Sequence, residues 1–232
     1  MLGPPALRLR LESGRAALSH EELVARYRRT PLAFDGERAL DEREVRFDGE
    51  GGLELTLGLA GRDPAGWRAA SHTDLVRFGD AGAHEAGDFF EAVHAPDGRV
   101  ILAPGSFYIF CSRERLRVPP DLAAEMMPVD VGIGEMRNNY AGFFDNGFGW
   151  REDAAGRPQP GGTPAVLEVR AHDVPFLVED GQVFFRLRFF RTGGRPERLY
   201  GEGRASYKEQ ELTLARAFRT AVPPTPPTAG TR

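Results

Sequence analysis

The chain contains one cysteine among 232 residues, Cys111, so no disulfide framework is possible and a reducing compartment is expected. Cys111 lies in an apolar run and is predicted to be a core residue. No apolar run of about 18 residues occurs, so we predict no membrane-spanning helix. The first residues lack a basic stretch followed by an apolar one, so we expect no secretory signal and a cytoplasmic location.

An excess of positive charge is also missing. Lys and Arg number 30 against 34 Asp and Glu, which gives a formal net charge of −4. Proteins that neutralise a nucleic-acid backbone are usually basic, so we predict no nucleic-acid partner. A local basic pocket for one triphosphate is compatible with this balance, and the hydrophobic fraction of 41% is sufficient for a core.

Glycine, proline and phenylalanine are abundant, at 28, 18 and 16 residues, and apolar residues often alternate with polar ones. This combination predicts a mainly β fold of many short strands joined by turns. Strands are predicted over Leu53 to Leu59, Leu75 to Phe78 and Gln182 to Phe190. In the last of these, Arg186 and Arg188 are predicted to lie on a solvated face.

The ends of one helix are marked in the sequence. Ser19 and Glu22 fit a capping box, and Thr30-Pro31 stops helical backbone. The helix should therefore run from His20 to Arg29. A second, short helix is predicted around Leu122 to Met126.

Glu168 interrupts an otherwise apolar run from Ala165 to Val169. A carboxylate in this place faces either solvent or a functional site. Burial raises the pKa of a carboxyl group, and a raised pKa suits a general base that works near neutral pH. An exposed strand carboxylate without a catalytic role is the alternative.

Four short motifs occur in order between Pro104 and Glu168. A Pro-Gly turn precedes an apolar strand, Pro-Pro-Asp-Leu stops that strand, Ala-x-x-x-Asp-x-Gly-Phe forms a turn, and Leu-Glu opens the next strand. This order resembles the dCTP deaminase family, in particular the C-terminal module of its two-module form. The motifs are Pro104-Gly105, Pro119 to Leu122, Ala141 to Phe148 and Leu167-Glu168, followed later by Tyr207 and Gln210.

The resemblance implies a dUTPase-like fold, which is a distorted β-barrel or jelly roll with one N-terminal helix and few short helices. Residues 19–219 would form this domain. Residues 1–18 would be a strand and linker left from a first module. Residues 220–232 are predicted to be a disordered tail, because they are mostly Pro, Thr, Ala and Gly.

The resemblance also implies a reaction, the hydrolytic deamination of dCTP at C4 to give dUTP and ammonia. Glu168 would act as general base, and backbone groups at Asn139, Tyr140 and Ala141 would hold the pyrimidine. Mg²⁺ would arrive on the substrate triphosphate. No zinc is expected, because the chain lacks the combined His-x-Glu and Cys-x-x-Cys ligand set of zinc deaminases.

Four further residues are candidates for substrate binding by resemblance. Asp145 is either a sugar contact or a turn-forming residue. Arg137 is either a phosphate ligand or an ordinary exposed arginine. Tyr207 and Gln210 either close over the phosphates or pack as a C-terminal segment.

The chain departs from the family pattern where phosphate is held. Single-module members have Ser-Ser-x-x-Arg before the Ala-x-x-x-Asp turn, and the matching positions here are Asp130, Val131 and Gly134. These residues cannot replace two hydroxyls and a guanidinium, although Arg137 lies three residues further on. The polar segment from Gly149 to Pro164 also lengthens a hairpin that is short in single-module members.

Family members are trimers whose sites lie between subunits. The expected partner is therefore another copy of the chain, with a trimer favoured, or a first-half deaminase module, and this chain would supply the Glu168 side. Two other functions stay open. One is a non-catalytic structural or regulatory module of a deaminase oligomer, and the other is a dUTP pyrophosphatase.

Overall fold

The computed structural model describes residues 16–71, 74–128, 136–138, 142–171, 173–202, 212 and 214–219. Within these ranges the chain is mainly β, with one helix of 10 residues and one of 4 residues. The elements in chain order are α1 His20–Arg29, β1 Ala33–Asp35, β2 Arg38–Ala39, β3 Arg46–Phe47, β4 Gly52–Thr56, β5 Gly66–Ala69, β6 His84–Glu85, α2 Ala86–Phe89, β7 Phe90–Val93, β8 Arg99–Leu102, β9 Phe107–Leu116, β10 Leu122–Pro128, β11 Met136–Asn138, β12 Phe143–Phe144, β13 Thr163–Ala171, β14 Phe176–Glu179, β15 Val183–Arg191 and β16 Phe218–Arg219.

Helix α1 forms where its capping box predicts it. The Ser19 hydroxyl accepts a hydrogen bond from the Glu22 backbone N–H (3.3 Å), and the Glu22 carboxylate accepts one from the Ser19 N–H (2.9 Å). The helix buries Leu23 against the core. Arg26 anchors it through two hydrogen bonds to the Asp121 carboxylate, at 2.6 and 3.0 Å, immediately before β10.

Two antiparallel sheets form the body of the described chain. The larger sheet has the order β11-β13-β9-β1-β2, and β5 pairs with both β9 and β7 to complete its 7 strands. The 5-stranded sheet has the order β12-β10-β15-β4-β3. In addition, β14 pairs antiparallel with β8, and β16 pairs parallel with β6. The predicted mainly β fold is confirmed.

The core joins the inward faces of the two large sheets into one hydrophobic cluster. Alternate residues of β4, β9, β13 and β15 belong to it, as period-2 alternation predicts. Each fully buried Leu or Phe side chain stabilises the fold by about 1.5–3 kcal/mol. The predicted burial of Cys111 is confirmed, and the strand residues that are buried with it include Leu53, Leu55, Leu57, Leu59, Phe185, Leu187 and Phe189.

The two outward arginines of β15 have different surroundings. Arg188 is exposed, as predicted. Arg186 is only partly exposed, because its guanidinium pairs with Asp48 at 3.1 Å and Glu50 at 3.2 Å. These ion pairs lie beside a cavity of about 230 Å³ and hold β15 to the turn before β4.

Two local predictions are wrong. Leu75 to Phe78 forms no strand, and both Leu75 and Phe78 are exposed, because no described strand pairs with this segment. Leu122 to Met126 is not helical but lies in β10, which pairs residue by residue with β15. Pairing with a long neighbouring strand overrides the helix tendency of Leu, Ala, Glu and Met.

Arg117 fixes the polar insert between β12 and β13. Its side chain is buried, and its guanidinium donates hydrogen bonds to the carbonyls of Pro31 (3.0 Å) and Gln159 (2.8 Å). Burial lowers the pKa of Arg117 to about 10, so the group is still charged at neutral pH. Within the insert, Glu152 and Pro158 form an isolated antiparallel bridge.

The ends of the chain are described only in part. The Leu18 backbone N–H donates a hydrogen bond to the Phe189 carbonyl at 2.9 Å, so residues just before α1 join β15. Residues 1–15 and 220–232 lie outside the described ranges, and the predicted remnant and tail stay predictions. Among the described residues, no helix is long and apolar enough to cross a membrane.

Candidate active site

Glu168 lies near the middle of β13, on the face of the larger sheet that points away from the core. Its neighbours Leu167 and Val169 are buried, and side chains alternate along a strand, so Glu168 faces outwards. The register places Glu168 opposite Ile109 of β9, and Ile109 opposite Trp67 of β5. The Glu168 side chain is exposed on this face.

A cavity of about 670 Å³ lies beside Glu168 on this outer face. This volume is within the range of about 300–1,000 Å³ that is usual for small-molecule sites. Among the described residues that line it, the polar side chains are Glu168, Thr163 and Tyr200. Glu168 therefore borders a hollow, not a flat wet surface. The phenylalanines that line the cavity include Phe90, Phe107, Phe143, Phe144, Phe148 and Phe218.

One wall of the cavity is the C-terminal segment of the described chain. Phe218 lies in β16, which pairs with β6, and joins Leu214 and Ile109 in a second hydrophobic cluster on the outer face. His84 of β6 is buried, and its ring packs against Phe89 (4.8 Å between centroids) and Phe218 (5.9 Å). His84 is therefore a packing residue that holds this wall in place.

The predicted turn at Asp145 contributes Phe144 and Phe148 to the lining of the cavity. The Phe148 backbone N–H donates a hydrogen bond to the Asp145 carbonyl at 3.0 Å, which closes the turn. Phe148 packs nearly at right angles to Phe144, with 4.8 Å between ring centroids, and its other neighbour is Tyr200 at 5.4 Å. The turn therefore places three aromatic rings on the cavity.

Asp145 combines a turn-forming backbone with a perturbed side chain. The residue is exposed, yet desolvation by the surrounding protein raises the pKa of the Asp145 carboxyl above its ordinary value. Carboxyl groups with raised pKa values occur often at functional sites. The turn is observed, and the contact to a sugar stays a prediction.

We expect Asp145→Asn to stabilise the fold at pH 7, by less than about 1 kcal/mol because solvent screens an exposed carboxyl. An acid with a raised folded-state pKa destabilises the fold when ionised. The penalty is therefore present above the folded pKa and absent below the ordinary value of 3.8. Urea unfolding at pH 7 and pH 3 measures the difference. A variant that is less stable than the wild type at pH 7 would contradict the desolvation argument.

The other predicted binding residues are placed only in part. Arg137 occupies β11, where it is in register with Arg170 of β13, two residues beyond Glu168. The sheet thus brings Arg137 and Glu168 onto neighbouring strands. The remaining candidates lie outside the described residues, namely Asn139, Tyr140, Ala141, Tyr207 and Gln210.

Comparison with known proteins agrees with this architecture. A family model described as "2'-deoxycytidine 5'-triphosphate deaminase (DCD), C-terminal domain" matches residues 19–218. The chain belongs to this dCTP deaminase family. The crystal structure of 2'-deoxycytidine 5'-triphosphate deaminase from Agrobacterium tumefaciens matches with a TM-score of 0.64 at 35% identity. That match covers 79% of this chain and 50% of the other.

A curated relative of this deaminase-family chain is the "dCTP deaminase, dUMP-forming" of Beutenbergia cavernae. The two are 28% identical over 130 residues, which is 55% of this chain and 61% of the relative. The chain therefore spans about 50% to 61% of the length of these two proteins. The predicted family and the dUTPase-like fold are confirmed.

Sequence reasoning about this deaminase-family chain missed Arg170 and the aromatic walls. Arg170 had a usable signal, because a residue two positions after Glu168 in a strand lies on the same face. The walls had no such signal, since Phe90, Phe144 and Phe218 are far apart in the sequence. Phe143 and Phe144 both line the cavity, and Phe144 also belongs to the hydrophobic core.

Metal ligands were not predicted for this deaminase-family chain. In the part of the chain that the structure describes, no group of three or more His, Cys, Asp or Glu side chains is arranged to hold a metal ion. Two of the histidines, His72 and His172, lie outside that part.

Proposed function

We propose that this chain is the module of a dCTP deaminase that provides the general base for hydrolysis of dCTP to dUTP and ammonia. One observation carries the proposal. In a chain of this family, Glu168 stands on the outer face of β13 at the edge of an aromatic cavity large enough for a nucleotide base and sugar.

The chemistry needs a base that first removes and then returns a proton. Glu168 would take a proton from water as the water oxygen bonds to C4 of cytosine. It would then give that proton to the exocyclic nitrogen as the C4–N bond breaks and ammonia leaves, while the remaining proton of the water moves to N3 and gives the uracil base. The aromatic walls would stack on the pyrimidine and keep other water away from the reacting carbon.

Binding would draw on residues around the cavity. Backbone groups at Asn139, Tyr140 and Ala141 would hold the pyrimidine edge, and Asp145 would contact the sugar. Arg137 would contact the phosphates, and Tyr207 and Gln210 would close over them. Mg²⁺ would enter with the triphosphate, since it binds phosphate oxygens and keeps several waters.

The site would be shared with a partner. Among the described lining residues of the cavity, none is basic, so a triphosphate needs cations from outside this lining. A second copy of the chain, with a trimer favoured, or a first-half deaminase module would supply that side.

The test is turnover of dCTP with Mg²⁺ by the purified chain, alone and mixed with a first-half module. Ammonia and dUTP should appear together in equal amounts, at least in the mixture. If neither preparation releases ammonia while both bind dCTP, the chain is a non-catalytic module of the oligomer. Failure of both to bind dCTP would contradict the proposed substrate.

A second candidate product follows from the name of the Beutenbergia cavernae relative, which is described as dUMP-forming. By this alternative the chain would also release pyrophosphate, as a dUTP pyrophosphatase does. Measuring pyrophosphate in the same assay, with dCTP and with dUTP as substrates, separates the two outcomes.

A further inference from the structure

We propose that Arg170, which lies beside the cavity, binds the phosphates of the nucleotide. This inference rests on the proposed function, because it assumes that the base occupies the cavity next to Glu168. By this inference, the chain itself provides a cation for the phosphates, although it lacks the Ser-Ser-x-x-Arg motif that holds phosphate in single-module members.

Arg170 stands at the rim of the cavity and not inside it. Its guanidinium carbon lies 5.8 Å from the centroid of the Phe107 ring, and Phe107 lines the cavity. Arg170 itself is exposed and is not among the residues that line the cavity. A planar guanidinium over an aromatic face is held in a fixed orientation while its N–H groups stay available.

The cross-strand neighbours of Arg170 provide no carboxylate. The register places Phe107 of β9 on one side of it and Arg137 of β11 on the other. Within the described residues, no ion pair of Arg170 is found, whereas other strand arginines such as Arg68 and Arg99 each pair with a glutamate.

The spacing along β13 matches the division of a nucleotide into base and phosphates. Residues two apart in a strand have side chains on the same face, about 6.6 Å apart along the strand axis. Glu168 lines the apolar cavity, which suits the neutral base. Arg170 lies two residues further along β13 and is exposed to solvent. A guanidinium there can donate two parallel hydrogen bonds to a phosphate group.

The test is calorimetric binding by the whole chain, with the first-half module present if the chain alone does not bind. Three probes are used: dCTP, deoxycytidine and inorganic tripolyphosphate. Arg170→Gln should weaken dCTP and tripolyphosphate binding by about 10-fold or more, the loss usual for one charge-assisted contact. It should leave deoxycytidine binding unchanged. Arg170→Lys should recover part of the loss, because it keeps the charge but not the planar donor pair.

The matched control is Arg188→Gln, which removes an exposed strand arginine from the other large sheet. This variant should bind all three probes like the wild type. Equal losses of dCTP and deoxycytidine binding in Arg170→Gln would overturn the proposal, and so would unchanged dCTP binding.

If the proposed function is wrong, the three probes give a different pattern of binding. If the wild type does not bind dCTP, the proposed substrate is wrong, and tripolyphosphate alone decides the role of Arg170. Tripolyphosphate binding that falls in Arg170→Gln but not in Arg188→Gln supports an anion site at Arg170. Absence of tripolyphosphate binding to the wild type, or equal binding to both variants, overturns it.

Discussion

Replacing Glu168 by Gln is expected to lower the rate of dCTP deamination by about 10²–10⁴-fold, the usual contribution of a general acid-base group. The amide keeps the size of the side chain but cannot take a proton from the attacking water. Because Glu168 is exposed on the outer face of β13, the substitution should leave the free energy of unfolding nearly unchanged. The measurement is single-turnover release of ammonia from dCTP, together with denaturant unfolding.

A matched control is available on the same sheet. Glu91 of β7 is also an exposed strand glutamate, and it pairs with Arg68 away from the cavity lining. Glu91→Gln removes the same negative charge from the same sheet, so it should deaminate dCTP at the wild-type rate. Full activity of Glu168→Gln, or equal losses in the two variants, would refute the assignment of Glu168 as the base.

Gly149→Ala is expected to destabilise the fold by about 2–5 kcal/mol, from the cost of a left-handed backbone and of overpacking together. Gly149 has a φ of 64°. A Cβ there would clash with the Leu116 carbonyl oxygen and lie 2.8 Å from the Thr163 backbone nitrogen. Both neighbours are backbone atoms of paired strands, so neither can move without disturbing the β9–β13 pairing. Urea unfolding measures the loss.

The polar insert provides the control for this prediction. Gly156 has a similar φ of 74°, but a Cβ there would have no atom within 4 Å. Gly156→Ala should therefore cost only the left-handed backbone penalty, about 1–2 kcal/mol. Equal destabilisation by the two substitutions would show that the clash at Gly149 adds nothing. Because Gly149 follows Phe148 in the cavity wall, its variant should also weaken dCTP binding, whereas the Gly156 variant should not.

Some features of this fold depend only on residues close together in the sequence, and others depend on residues far apart. The α1 helix was predicted to the residue, because its capping hydrogen bonds join residues three apart and need nothing from the rest of the chain. Burial along β15 was predicted for the same reason, since a period of two is a local pattern. Leu122 to Met126 was mispredicted, because its conformation depends on a partner strand more than sixty residues later in the sequence.

The candidate site shows the same division. Glu168 and Asp145 were found from short motifs, and the family to which those motifs point is confirmed. The direction of Glu168 was left open, because a strand with buried neighbours on one face can have either solvent or a cavity on the other. Arg170 was overlooked as a binding residue, since its significance comes from Phe107 on the adjacent strand β9.

The order of the amino acids by itself determined where α1 begins and ends, which strand residues turn inwards, and the family to which the chain belongs. These properties depend on hydrogen bonds and side-chain alternation within a few residues. Only the tertiary structure decided that the outer face of β13 carries an aromatic hollow, because its walls come from segments as distant as β7, β12 and β16. Packing between remote segments has no signature in any one of them.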